Sequence, residues 1–150
     1  MRDYPDKSLG IATMNSKQRD LIDEEMYRLF YTDEVAEAYR QKWEGTLEPF
    51  FVKNLESVQS DERDAIFVST VYGPDKDGRV MQRFGPINGK FGHRRLNVLF
   101  TRAKHNLVLF TSLKPDDIKA TETSALGLRA FKGYLEYACD GKLDAGTFTG

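Results

Sequence analysis

An α/β sandwich with a mostly parallel sheet is the fold this sequence predicts, and three observations point to it. Short β-rich runs alternate with amphipathic helical segments along the chain. One of those runs, Ala65 to Val71, is apolar on both faces, as a central parallel strand is. The length of 150 residues, 40% of them hydrophobic and 30% charged, supplies apolar material for one core and too much for a disordered chain.

The elements follow in order. Leu9 to Met14 is a short apolar run that ends in Asn15-Ser16, a strand feeding a helix N-cap, with Gln18 three residues after Asn15 as in a capping box. Leu21, Ile22, Met26, Leu29 and Phe30 recur at helical spacing between acids, so residues 17–31 form an amphipathic helix. Thr32-Asp33 caps a second stretch through Val35, Ala36, Tyr39 and Trp43, which Gly45 stops; Glu48-Pro49 then breaks the pattern. Phe50 to Leu55 and Ala65 to Val71 are strands on either side of a polar loop, residues 56–64. The Gly- and Pro-rich residues 73–92 are a functional loop or a β-hairpin excursion. His93 to Lys104 reads as a helix with Leu96, Val98, Leu99, Phe100 and Ala103 on its apolar face, and Asn106 to Ser112 as the next strand. A last helix runs from Ser124 to Asp140 with Gly141 as its stop, and residues 142–150 read as a linker.

Charge is balanced overall, at -1, and uneven along the chain. Of the 23 acids, 15 lie in residues 1–64, whereas residues 79–105 hold seven bases and no acid, which makes that segment a candidate for contact with a polyanion. A lone Cys139 forms no internal disulfide, and with only His93 and His105 there is no Cys/His set at metal-site spacing. No apolar stretch has the length of a signal h-region or a membrane span, so the expected location is cytoplasmic.

The strongest local pattern is His93-Arg94-Arg95-Leu96-Asn97-Val98-Leu99-Phe100-Thr101-Arg102-Ala103-Lys104. On a continuous helix Arg95 and Arg102 share a face two turns apart, a spacing suited to two points of one anion, and a planar guanidinium on phosphate stabilises the charge of phosphoryl transfer. From spacing alone a solvated basic face on a core helix is an equal reading. The acids Glu56, Asp61, Glu62 and Asp64 offer a metal-dependent nuclease as a minor alternative.

Three blocks in order resemble the second RecA-like lobe of superfamily 1 helicases, in the branch of the nonsense-mediated-decay RNA helicase and bacterial helicase-nuclease proteins. Leu9 to Gln18 resembles motif IV, Glu56 to Asp64 with the following apolar strand resembles motif V, and Arg95 to Lys104 resembles motif VI. The resemblance implies a RecA-like, P-loop NTPase-like three-layer sandwich. It implies that Arg102 is the finger on the ATP γ-phosphate, with Arg95 supporting the same anion or its acidic neighbours, and that Glu62 and Gln59 lie at the nucleotide. Thr13, Asn15 and Ser57 match positions near the bound strand, although Thr13 and Asn15 serve equally well as caps of the first helix. Two positions depart from the family pattern: Ser60 stands where Gly is usual and Met14 where Pro is usual.

The resemblance divides the chain into a lead-in or linker over residues 1–7, the RecA-like lobe over 8–113, a helical extension over 114–141 and a linker over 142–150. No Gly-x-x-x-x-Gly-Lys-Ser/Thr loop and no apolar strand ending in Asp-Glu occurs in the chain. The expectation is therefore a C-terminal lobe of a larger ATP-dependent helicase or translocase, inactive by itself. ATP and Mg²⁺ would be held mainly by the first RecA-like lobe, and single-stranded nucleic acid, DNA ahead of RNA, would be the partner. A non-catalytic nucleic-acid-binding module of the same fold is the rival, motivated by Ser60 and Met14.

Overall fold

The computed structural model describes residues 1–140. Its centre is a four-stranded, wholly parallel sheet in the order β2-β1-β3-β4, formed by β1 (Leu9–Thr13), β2 (Phe51–Asn54), β3 (Arg63–Ser69) and β4 (Ala103–Phe110). Gly10 stands opposite Phe51 on one side and Ile66 on the other, so the first strand of the chain is interior to the sheet. The helices are α1 (Ser16–Thr32), α2 (Glu34–Glu44), α3 (Gly92–Phe100) and α4 (Leu126–Asp140).

Parallel neighbours need crossovers, and right-handed crossovers decide where these helices lie. The link from β1 to β2 runs through α1 and α2 in one direction across the sheet. The links from β2 to β3 and from β3 to β4 run in the other, so residues 55–62 and α3 share the opposite face. The main core lies on that second face. Ala12, Ile66 and Val68 of the strands, Leu55 and Val58 of the crossing segment, Leu96 and Leu99 of α3, and Leu128, Phe131 and Leu135 of α4 form one buried cluster. Tyr134 ties α4 to α3 twice, stacking on Phe100 at 3.7 Å between centroids and donating its hydroxyl proton to Asn97 Oδ1 at 2.9 Å.

The cap positions in the sequence hold, and of the capping box suggested at Asn15 only the half from the Gln18 amide is made. Asn15 Oδ1 accepts from the Gln18 amide at the start of α1, and Asp33 Oδ1 accepts from the Val35 and Ala36 amides at the start of α2. Three expectations need correction. The apolar stripe of α1 is only half used: Ile22, Met26 and Phe30 are partly buried, Leu21 and Leu29 are exposed, and none is fully buried. Residues 73–92 contain no hairpin; they form a loop closed by a 3₁₀ turn over Gly85–Asn88. The segment His93 to Lys104 is not one helix, because α3 ends at Phe100 and β4 begins at Ala103. Gly141 and residues 142–150 lie outside the described residues. Among the described residues no helix is long and apolar enough to cross a membrane.

Candidate nucleotide and strand interface

Arg102 occupies the turn between α3 and β4 rather than a helix face. Thr101 ends the helix, its amide donating to the Asn97 and Leu99 carbonyls and its hydroxyl lying 2.8 Å from the Asn97 carbonyl. The chain then turns back, and the Arg63 amide donates to the Arg102 carbonyl at 3.0 Å. This contact zips the turn to the residue that follows Glu62. The guanidinium folds over its own helix: Nε donates to the Val98 carbonyl at 3.0 Å, Nη2 donates to Thr101 Oγ1 at 3.2 Å, and Nη1 stands 3.7 Å from Glu62 Oε1. Arg102 and Glu62 thus meet at the end of the sheet where β3 and β4 begin.

The break after Phe100 also separates the two arginines. Arg95 does not share an anion with Arg102; its Nη1 stands 3.5 Å from Glu56 Oε1, just past the end of β2. The crossing segment therefore meets an arginine at each of its ends. Between them Val58 is buried and Gln59 is exposed, and no hydrogen bond to the Gln59 amide occurs among the described residues. Ser60 takes φ +63°, so the tight turn usual for Gln-Gly persists here with a serine.

Arg63, which sequence reasoning missed, fixes the start of β3 beside this loop. It is 3% exposed, donates from Nε and Nη2 to the Pro49 carbonyl and from Nη1 to the Glu62 carbonyl, and lies 4.7 Å from the centre of the Phe51 ring. Burial pulls its pKa below the usual arginine value, and the carbonyl contacts satisfy its donors. Alternation from Ile66 and Val68 puts Arg63 on the other face, and the irregularity between Arg63 and Ala65 that breaks this alternation left no signal in the sequence.

At the opposite end of the sheet, where β1 and β2 finish, the predicted strand contacts form a polar network. Ser57 donates from its amide and its hydroxyl to Asn54 Oδ1, at 3.0 and 2.7 Å, and Asn54 Nδ2 donates to Ser16 Oγ at 2.8 Å. The network joins the start of α1 to the crossing segment through Asn54, a second residue absent from the sequence reading. Asn15 is partly exposed beside it and serves as the α1 cap. Thr13 has no exposed surface, and its hydroxyl donates to the Asn15 carbonyl at 2.7 Å. Its geometry is that of a turn-former with nothing to offer a ligand directly.

The acids of the crossing segment do not form a metal cluster. Asp61 is paired with Lys53 at 2.6 Å, Glu56 with Arg95 and Glu62 with Arg102, while Asp64 accepts from the Ser8 amide at 2.9 Å. Among the described residues no group of three His, Cys, Asp or Glu is placed to hold a metal ion. The nuclease alternative loses its basis. Arg95 and Arg102 stand 3.5 and 3.7 Å from half-exposed carboxylates, contacts weak enough for a multiply charged anion to displace, while Arg102 also spends Nε on the Val98 carbonyl and Nη2 on Thr101 Oγ1. A cradle of successive amides for a triphosphate is not part of this chain's sequence.

Comparison with known proteins agrees with this architecture. The family model described as "AAA domain" matches residues 1–114. An "Uncharacterized ATP-dependent helicase MG140" from Mycoplasma genitalium is 36% identical over 137 residues, covering 87% of this chain and 11% of that protein. Its "homolog" from Mycoplasma pneumoniae is 34% identical over 137 residues with the same coverage. The chain thus spans about a tenth of the length of these relatives, 11% in each case. No solved structure matches it. With the parallel sheet, the helices on both faces and the match over residues 1–114, the chain has the RecA-like, P-loop NTPase-like fold and belongs to the AAA domain family.

Proposed function

We propose that this chain is the C-terminal RecA-like lobe of an ATP-dependent superfamily 1 helicase or translocase, with residues 8–113 as the lobe. One observation carries the reading. A single crossing segment meets Arg102 through Glu62 at its far end and joins the polar network of Ser57, Asn54 and Ser16 at its near end. The residues expected at the nucleotide and those expected at the strand thus lie at opposite ends of one short piece of chain. The names of the two mycoplasma relatives support the same activity.

In this reading ATP supplies the triphosphate anion whose charge an arginine neutralises, and the first RecA-like lobe supplies the phosphate loop and the Mg²⁺ ligands. Arg102 would exchange Glu62 for phosphate, and Arg95, apart from that anion, would hold the acidic neighbour Glu56 at the other end of the segment. Glu62 and Gln59 then lie beside the nucleotide. Because Arg63 anchors Glu62 by its carbonyl, the Glu62 side chain changes partner from a fixed stretch of backbone. Single-stranded nucleic acid, DNA ahead of RNA, binds at Asn15 and Ser57 mainly through phosphates, with an affinity that falls as salt rises. Ser60 and Met14 do not favour a non-catalytic module: Ser60 keeps the turn, and Met14 is a core side chain.

The test is strand-stimulated ATP hydrolysis by the longer protein that contains this lobe, wild type beside Arg102→Ala, with nucleotide binding measured in both. The expected result is a loss of turnover of roughly a thousandfold with nucleotide still bound. Unchanged turnover would overturn the finger assignment.

A further inference from the structure

The loop before α3 displays an aromatic ring with two cations close to it. Phe91 is 48% exposed, Lys90 Nζ lies 5.5 Å and Arg94 Cζ 5.4 Å from its ring centre, and no carboxylate pairs with either base among the described residues. Residues 79–105 hold no acid, and whereas Arg95, Arg102 and Lys104 of that segment meet carboxylates from elsewhere in the chain, Lys90 and Arg94 meet none among the described residues. A single exposed apolar side chain is ordinary on a protein surface, and what sets the Phe91 ring apart is the pair of cations close to it. Such a ring is well suited to a nucleobase, whose π-face stacks on the ring while the flanking phosphates meet the two bases.

The ring is also held in place. Phe84 and Ile87, earlier in the same loop, are fully buried, and Phe84 packs edge-on against Phe131 of α4 at 5.5 Å. The Ile87 carbonyl is wedged against Gly92 and Gly127, where an added Cβ on either glycine would lie 2.0 Å from its oxygen. The backbone on one side of Phe91 is therefore fixed by the core and on the other by the first turn of α3. Helix α3 runs antiparallel to the strands, and its last residue is tied through the Arg102 turn to the start of β3, so its first turn lies towards the end where β1 and β2 finish. Phe91 and the Asn15–Ser57 network accordingly share one end of the molecule.

We infer that Phe91, with Lys90 and Arg94, is a base-stacking site for single-stranded nucleic acid. The inference rests on the reading of the chain as a strand-tracking lobe and adds to it a contact that recognises bases rather than phosphates. It is tested on the 150-residue chain with a twelve-nucleotide oligothymidylate and with an abasic oligomer of the same length, at low salt. The expected result is that Phe91→Ala weakens binding of the thymidylate about tenfold and leaves the abasic oligomer unaffected. Lys90→Ala with Arg94→Ala weakens both oligomers. Phe91→Trp retains affinity, and its added indole fluorescence is quenched by the thymidylate and not by the abasic strand. If wild type binds the thymidylate and Phe91→Ala binds it equally well, the stacking site is overturned while the strand-tracking reading stands. If wild type binds neither oligomer, both fall.

Discussion

At Ser60 the backbone enters the left-handed region with φ +63°, where a Cβ crowds the following carbonyl and costs ~1–2 kcal/mol. Ser60→Gly is expected to raise stability by about 1 kcal/mol or slightly less, since glycine returns part of that gain through a freer unfolded chain. A urea midpoint that rises at constant slope checks it; a fall would show that serine makes a compensating contact there. The departure of this position from the family pattern is therefore one of side chain and not of backbone path. Other single residues divide by the range over which their interactions act. The cap of Asn15 on Gln18 was legible because it depends on four consecutive residues. The pairing of Arg95 with Glu56 and of Arg102 with Glu62 was not, because partners so far apart in the chain are chosen by topology. Thr13 was read for its chemistry as a hydroxyl, and burial redirected that hydroxyl to its own turn.

Elements are legible where a single periodicity governs them and lose definition where two compete. The motif from His93 to Lys104 carries helical spacing as far as Phe100, but Ala103 pairs with Arg63 in the sheet, and the alternation of β4 starts inside the expected helix. Cross-strand hydrogen bonds satisfy more backbone there than another helical turn would. The beginnings of β1, β3 and β4 are further pinned by one polar node. Ser8 donates its amide proton to Asp64 and its hydroxyl proton to Glu48 at 2.5 Å, and Lys104 pairs with Glu48. Lys104 and Ser8 hold the Glu48 carboxyl below its usual pKa, and the amide of Ser8 does the same for Asp64. A carboxyl whose folded pKa is depressed contributes stability that is present above its unfolded pKa, near 4, and is lost as pH falls through the folded value. Stability is thus expected to be level from about pH 7 to 5 and to drop below about pH 4. Glu48→Gln should start lower at neutral pH and fall less steeply in acid, as read from urea midpoints across that range. An equally steep fall would place the proton uptake elsewhere.

At the scale of the molecule, the class of fold was legible and the order of its strands was not. Runs apolar on both faces announce a parallel sheet, but nothing in such a run says which neighbour it takes. The order follows from crossovers: β1 sends its helices one way to reach β2, and the chain returns over β1 to reach β3. That arrangement also decides when the protein can begin to exist. Residues 9–13 are the first of these four strands to leave a ribosome, yet both of their hydrogen-bonding edges wait for residues 51–54 and 65–69. At synthesis rates of ~5–20 residues per second the wait lasts seconds. Sheet closure over such separations is slow in the free chain as well, so refolding followed through Trp43, the single tryptophan, should take milliseconds or longer, and a microsecond phase carrying the full amplitude would contradict it. A nascent chain that has emerged only as far as residue 54 would therefore present a two-stranded fragment with one edge of Leu9–Thr13 still bare, a natural substrate for a chaperone that grips extended apolar chain.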